Sequence, residues 1–240
     1  VLYSVSLFEP TQTILRSMIE NIVELLFILK DDTDKRAAAY FLERHYQDLD
    51  KGDAFFDDKS KYVKLLIAQK GKDELECVQN KILKKREAIN RLTQSEKIFQ
   101  EIDNSRKKKL ADKKKKNNNK AVYIKWYEVC SNITNFYGLM KETGYENYYD
   151  AIYGGLSLES HGFNSTMGIN ATEEGFSLKW IRNPQDGGTT FALACDFSIS
   201  VLQKIYQYLG DEESEKAEFK TFFEDFVKKR DEVSRNLDMI

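Results

Sequence analysis

Two polar motifs on otherwise apolar segments carry the side chains that could do chemistry. The first is an arginine–glutamate pair, Arg16 and Glu20, spaced four residues apart in "LRSMIENIVELLFIL". The second is His161, one of only 2 histidines in the chain, at the end of "YDAIYGGLSLESHGF". A histidine can transfer a proton near neutral pH, and an arginine can bind a phosphate and stabilise its developing charge. Together they indicate phosphoryl chemistry without a metal ion, with His161 as general acid or base, Arg16 as phosphate ligand and Glu20 as its orienter.

A polar and aromatic stripe leads up to the histidine. Residues four apart share a face of an α-helix. Four positions with this spacing end at the histidine: Tyr149, Tyr153, Ser157 and His161. Polar groups on a packed helix need partners, and the best candidates are Arg16 and Glu20. Tyr153, Ser157 and Asn164 are therefore predicted supporting residues, and the glycines at 154–155 permit the close approach of another helix at a cost in helix propensity.

Both motifs also have a purely structural interpretation. A buried arginine–glutamate pair can stabilise a fold, and a histidine at a helix end can bind the terminal carbonyls. In that case the polar groups should be fully buried and paired, whereas in an active site they should line an accessible cleft. His45 shares a helix face with Phe41, and we interpret it as structural.

Metal, cofactor and membrane functions find no support in the sequence. No glycine-rich phosphate loop precedes a helix, so we expect no nucleotide cofactor. The cysteines Cys77, Cys130 and Cys195 lack metal-ligand spacing, so no metal site is predicted and a reducing cytosol is the expected compartment. The longest apolar run, "IVELLFILK", contains Glu24 and is too short to cross a membrane.

Helical periodicity and only 2 prolines in 240 residues predict an all-α protein. We expect a single helical domain over residues 1–240. Within it, a long helical or coiled-coil-like arm should span about 60–108, and a basic flexible loop about 106–120. The least helical part, near 165–188, should be a small irregular or hairpin insertion. The arm could form a homodimer or dock a partner protein.

The basic segment is a candidate contact for RNA, since lysines that neutralise phosphates gain affinity by releasing counterions. Its seven candidate residues are Lys107, Lys108, Lys109, Lys113, Lys114, Lys115 and Lys116. No aromatic residues are interleaved with them, so base stacking is not implied here. A solvated loop with no ligand is the alternative interpretation.

The two motifs, an arginine–glutamate helix followed by a tyrosine-rich helix ending in Ser-x-x-x-His-Gly, resemble a large bacterial family of uncharacterised helical proteins. That family is similar to HEPN domains and abortive-infection proteins, and the resemblance spans about residues 10–205. It implies a HEPN-like helical bundle, often dimeric, that acts as a metal-independent ribonuclease in toxin or antiviral defence systems. HEPN proteins usually carry an arginine four to six residues before the histidine, and His161 has none at that spacing. The arginine would come from another helix, with Arg16 as candidate, or from a partner subunit.

We therefore expect a HEPN-like metal-independent ribonuclease that cleaves RNA phosphodiesters. The alternative hypothesis is a non-catalytic helical interaction or nucleotide-sensing module of a bacterial defence system.

Overall fold

The computed structural model describes residues 8–56, 61–118, 122–156, 169–172, 175–178, 187–209 and 213–237. Nearly all of these residues are helical, so the all-α prediction is confirmed for this part of the chain. The predicted site residues Ser157, His161 and Asn164 lie outside it. None of the helices described here combines the length and apolar character needed to cross a bilayer.

The helices differ widely in length. In chain order they are α1 (Phe8–Lys30), α2 (Thr33–Phe55), α3 (Lys61–Lys70), α4 (Lys72–Ser95), α5 (Lys97–Lys116), α6 (Trp126–Cys130), α7 (Phe136–Thr143), α8 (Gly187–Leu209) and α9 (Glu213–Leu237). A π-helical turn, Tyr149–Tyr153, follows α7. Strands β1 (Ile169–Thr172) and β2 (Gly175–Leu178) pair in an antiparallel hairpin within the segment for which the sequence predicted a hairpin or irregular insertion.

The chain divides into two compact units. The first unit comprises Val1–Asp31 and Phe136–Ile240, and the second unit comprises Asp32–Asn135.

The first unit is built around α1, which packs against α7 and α8. Six apolar side chains of α1 recur at helical spacing and are buried: Leu15, Ile19, Ile22, Val23, Leu26 and Phe27. Such a broad apolar stripe is what a helix needs to pack against two neighbours. Arg16 and Glu20 lie beside this stripe at intermediate burial.

Helix α7 ends at Thr143, just before Gly144, whose φ is +85°. The Gly144 N–H donates to the Lys141 carbonyl at 3.1 Å, and the Tyr145 N–H donates to the Met140 carbonyl at 2.7 Å. These two bonds are a Schellman motif, which needs the left-handed conformation that glycine adopts at low cost.

In the second unit α2 packs against α4, α5 and α6. The predicted arm is interrupted at Gly71, where φ is +88°, and again at Glu96. Its apolar seam contributes Ile89 to the core of this unit, and α4 contacts α5 and α2. Part of the apolar surface of the arm is therefore buried inside this unit.

The sequence predicted a flexible loop for the basic segment. In the structure, residues 106–116 are helical and form the second half of α5. Lysines in the last turn of a helix interact favourably with the dipole. The Lys109 ammonium also donates to the Glu128 carbonyl, and Lys113 pairs with the buried Glu128 carboxylate at 2.5 Å. Both contacts are made with Glu128, which lies outside the run of lysines, so the charge pattern of the run alone could not predict them.

Candidate functional site

Arg16, Glu20 and Tyr153 form one hydrogen-bonded cluster in the first unit. The Arg16 Nε donates to Glu20 Oε1 at 3.1 Å, and Arg16 Nη2 donates to the Tyr153 hydroxyl oxygen at 3.3 Å. The Tyr153 hydroxyl in turn donates to Glu20 Oε1 at 2.6 Å. The sequence predicted a contact between the polar and aromatic stripe and the arginine–glutamate pair, and this contact is present at Tyr153.

The cluster lies at the edge of the core. Tyr153 is buried, at 9% exposure, whereas the side chains of Arg16 and Glu20 are 19% and 37% exposed. A pair that only pinned the core would be fully buried. These exposures leave the charged ends reachable from solvent while the tyrosine ring anchors them.

A π-helical turn positions Tyr153. The Gly154 N–H donates to the carbonyl of Tyr149, five residues back, which is the bond that defines this wider helix. Such turns are rare and often occur at functional sites. A Cβ on Gly155 would meet no described atom within 4 Å, and one on Gly154 would meet the Tyr149 carbonyl oxygen at 3.5 Å. The two glycines come directly after the π turn, and among the described residues no other helix makes the close approach that they permit.

An aromatic ladder leads from the cluster toward the surface. The Tyr149 ring stacks on Tyr153, with centroids 5.4 Å apart, and Tyr137 meets the edge of Tyr149 at 5.1 Å. Phe136 packs against the Tyr153 ring at 4.6 Å. Tyr137 is 42% exposed. Sequence reasoning missed Phe136 and Tyr137, and the adjacent aromatics at the start of α7 were the available signal.

The electrostatics assign different roles to the two groups that contact Glu20. Burial, together with the hydrogen bond to Glu20, raises the pKa of Tyr153 to about 12. Burial alone would lower the pKa of Arg16, but the bonds to Tyr153 and Glu20 raise it above its ordinary value. At neutral pH Tyr153 is therefore neutral and Arg16 is charged, so Tyr153 positions the arginine and does not accept a proton.

Tyr153→Phe should lower the free energy of unfolding by about 1–3 kcal/mol at neutral pH, because Glu20 and Arg16 both lose a partner. The folded-state pKa of Tyr153 lies above the unfolded value of about 10, so its contribution is fully present below pH 10. It is then lost as the pH rises through about 12. Urea unfolding across this range should show a decline in the wild type that is smaller in the variant.

The control for this substitution is Tyr149→Phe, which removes a hydroxyl from the neighbouring stacked ring and leaves the cluster intact. It should change stability by less than about 0.5 kcal/mol. Equal losses in both variants would show that the Tyr153 hydroxyl does not stabilise the cluster.

The sequence of this site falls within a recognised family. DUF5677, a family of unknown function, matches residues 1–177. The chain belongs to this family. No curated protein matches the chain, and no solved structure matches it.

The DUF5677 segment contains α1, α7 and the π turn, so the whole described cluster lies inside the matched part of the chain. It also contains positions 157, 161 and 164, whose structure is not described. Helices α8 and α9 lie beyond it.

The predicted lysines of this DUF5677 protein fall into two groups. Three are engaged within the second unit: Lys107 with Asp103, Lys109 with the Glu128 and Ser131 carbonyls, and Lys113 with Glu128. The other four are exposed: Lys108, Lys114, Lys115 and Lys116. Lys107 is also exposed, at 69%, but it is paired with Asp103. The ammonium groups of the other four can meet a phosphate without breaking any of the contacts named above.

His45 fits the structural interpretation. Its ring packs edge-on against Phe41 with centroids 4.3 Å apart. Burial, followed by the charge of Lys85, lowers its pKa. Its Nδ1 atom is buried and has no hydrogen-bond partner among the described residues. A half-buried, neutral imidazole held against a phenyl ring belongs to the packing of the second unit.

Metal ligation has no candidate cluster within the described ranges, where no group of three His, Cys, Asp or Glu side chains converges. Burial also raises the pKa of the Cys130 and Cys195 thiols, which disfavours their thiolate forms.

Proposed function

We propose that this DUF5677 protein is a HEPN-like, metal-independent endoribonuclease. Its resemblance to HEPN domains and abortive-infection proteins also implies a role in bacterial defence. One observation carries the proposal: a charged, partly exposed arginine is fixed by a glutamate and a tyrosine that lies 137 residues away. A guanidinium held in this way is suited to bind a phosphate and to stabilise negative charge in a transition state.

The chemistry assigned to the site is transesterification of RNA. The 2′-oxygen forms a bond to phosphorus while the bond from phosphorus to the 5′-oxygen breaks. One proton leaves the 2′-hydroxyl and another reaches the departing 5′-oxygen, giving a 2′,3′-cyclic phosphate and a 5′-hydroxyl. Because Tyr153 stays protonated at neutral pH, His161 is assigned one of these two proton transfers, as general acid or base, and the other proton is exchanged with water.

The other site residues are assigned the following roles. Arg16 binds the scissile phosphate, and Glu20 and Tyr153 hold its guanidinium plane. Ser157 and Asn164 are supporting residues by sequence position alone. In this arrangement the arginine comes from α1 and not from the four-to-six-residue spacing usual in HEPN proteins. The exposed lysines of α5, in the second unit, are assigned to RNA backbone phosphates.

A non-catalytic interaction module is the second candidate function. The observation that favours it is that Arg16 already donates to two partners within the fold. In such a module the cluster would only fix α1 against the π turn, and no RNA would be cleaved.

RNA cleavage in EDTA separates the two functions. The purified protein, incubated with tRNA and total cellular RNA, should produce fragments that end in a cyclic phosphate, and His161→Ala should abolish them. His45→Ala, which changes the other histidine, should retain activity, and a DNA oligonucleotide of matched sequence should stay intact because it has no 2′-hydroxyl. Absence of cleavage by the folded wild type would favour the interaction module.

A further inference from the structure

A second site is formed in the first unit by a cavity of about 590 Å³ where α1, α7 and α8 end. Cavities of about 300–1,000 Å³ are typical for small-molecule ligands. The Arg16 cluster contributes none of its lining, so this cavity is separate from the site proposed above.

The cavity has an apolar wall and two aromatic rings. Leu26 is 6% exposed and lines the cavity together with Leu29. Tyr145 is held by stacking on Phe197, with ring centroids 5.3 Å apart and planes at 27°. Tyr208, by contrast, is 52% exposed. A flat ring could be bound between such surfaces, because stacking on an aromatic ring requires only a π-face from the ligand.

Among the described residues, the charged side chains that line the cavity are mostly basic. Lys30, Lys141 and Lys204 lie there with one described carboxylate, Glu142. The Lys30 ammonium donates to the Glu142 carboxylate at 2.6 Å and to its backbone carbonyl at 2.8 Å, so these two side chains neutralise each other. Lys204 donates to the neutral amide oxygen of Gln207 at 3.1 Å.

Capping of helix ends does not account for all three lysines. Lys30 does serve that purpose, since it binds a carbonyl of the last turn of α7. The hydrogen bond of Lys204 goes to a side chain, and within the described ranges no carboxylate pairs with Lys141 or Lys204. In the part of the chain that the structure describes, two ammonium groups therefore lie beside the aromatic rings with no carboxylate paired to them.

We propose that this cavity binds a small anionic ligand with a flat ring, of the mononucleotide class. The phosphate contacts Lys141 and Lys204, and the base lies against the tyrosine rings and the leucine wall. The inference does not depend on ribonuclease activity, because no described residue of the cavity belongs to the Arg16 cluster.

Isothermal titration calorimetry with the four ribonucleoside monophosphates, each tested separately, examines this assignment. At least one should bind saturably with a dissociation constant below about 1 mM. Its nucleoside and inorganic phosphate should each bind at least about tenfold more weakly, since each lacks one of the two recognised features.

Variants locate the ligand. Lys141→Gln and Lys204→Gln should each weaken binding about tenfold, whereas Lys228→Gln, an exposed lysine of α9 that does not line the cavity, should leave it unchanged. Tyr208→Ala should weaken binding and Tyr208→Phe should retain it. No saturable binding by any of the four nucleotides, or equal losses with the α9 control, would overturn the proposal.

Discussion

Replacing Arg16 with alanine should reduce the rate of RNA cleavage by about two to three orders of magnitude, the loss typical when a preorganised transition-state ligand is removed. Arg16 is the cationic group of the cluster, and a phosphate can approach it because 19% of its side chain is exposed. Its orientation depends on bonds to Glu20 and Tyr153.

Arg16→Lys tests whether charge alone is sufficient. Lysine keeps the positive charge but lacks the planar fork that bonds to two partners at once. We therefore expect this variant to recover only a small part of the lost rate, and to show the deficit in kcat more than in KM.

Arg230 provides a matched control. It also lies in the first unit, its side chain is 25% exposed, and it pairs with Asp231 at 2.8 Å. Arg230→Ala should cleave RNA at the wild-type rate. If Arg16→Ala also cleaves within about threefold of the wild type while remaining folded by circular dichroism, Arg16 is not a transition-state ligand.

The largest effect on stability should come from Arg106→Ala in the second unit. Arg106 Nε lies 2.5 Å from a carboxylate oxygen of Glu43, whose side chain is only 2% exposed. The guanidinium also lies over the Tyr46 ring, 4.3 Å from its centroid. Removing the arginine leaves a buried carboxylate without its counter-charge, which should lower the free energy of unfolding by about 3–5 kcal/mol.

Arg86→Ala is the control for that loss. Arg86 makes an ion pair of the same length with Asp53, but the two side chains are 41% and 55% exposed. Exposed pairs contribute about 0–1 kcal/mol, so this variant should unfold at nearly the wild-type urea concentration. The double variant Glu43→Leu/Arg106→Met, which removes both charges, should regain much of the stability lost in Arg106→Ala. Equal losses for Arg106→Ala and Arg86→Ala would show that burial does not govern the strength of these pairs.

Features of the fold that depend on local pattern can be predicted from the sequence. The apolar stripe of α1, the end of α7 at Gly144 and the break at Gly71 follow from helical spacing and from the conformations that glycine allows. The contact of the polar and aromatic stripe, through Tyr153, with Arg16 and Glu20 was also predictable, because polar groups on two mostly buried helices need partners.

Features that depend on distant residues were not predictable in this way. The basic segment resembled a disordered loop because the partners of Lys109 and Lys113 lie near Glu128, beyond the charged run. Likewise, nothing in the pattern around Glu43 indicates that it is buried against Arg106, 63 residues away. The π turn adds one residue to a helical register, and periodicity alone does not detect so small a change.

The most direct test of the proposed function is the single-turnover cleavage rate of an end-labelled RNA in EDTA for the wild type, Arg16→Ala, His161→Ala and the double variant. If the two residues act on one phosphodiester in one site, the double variant should be about as slow as the slower single variant, because groups that act as a unit are strongly non-additive. Losses that multiply, or a folded wild type that cleaves no RNA, would contradict a ribonuclease site built on Arg16 and His161.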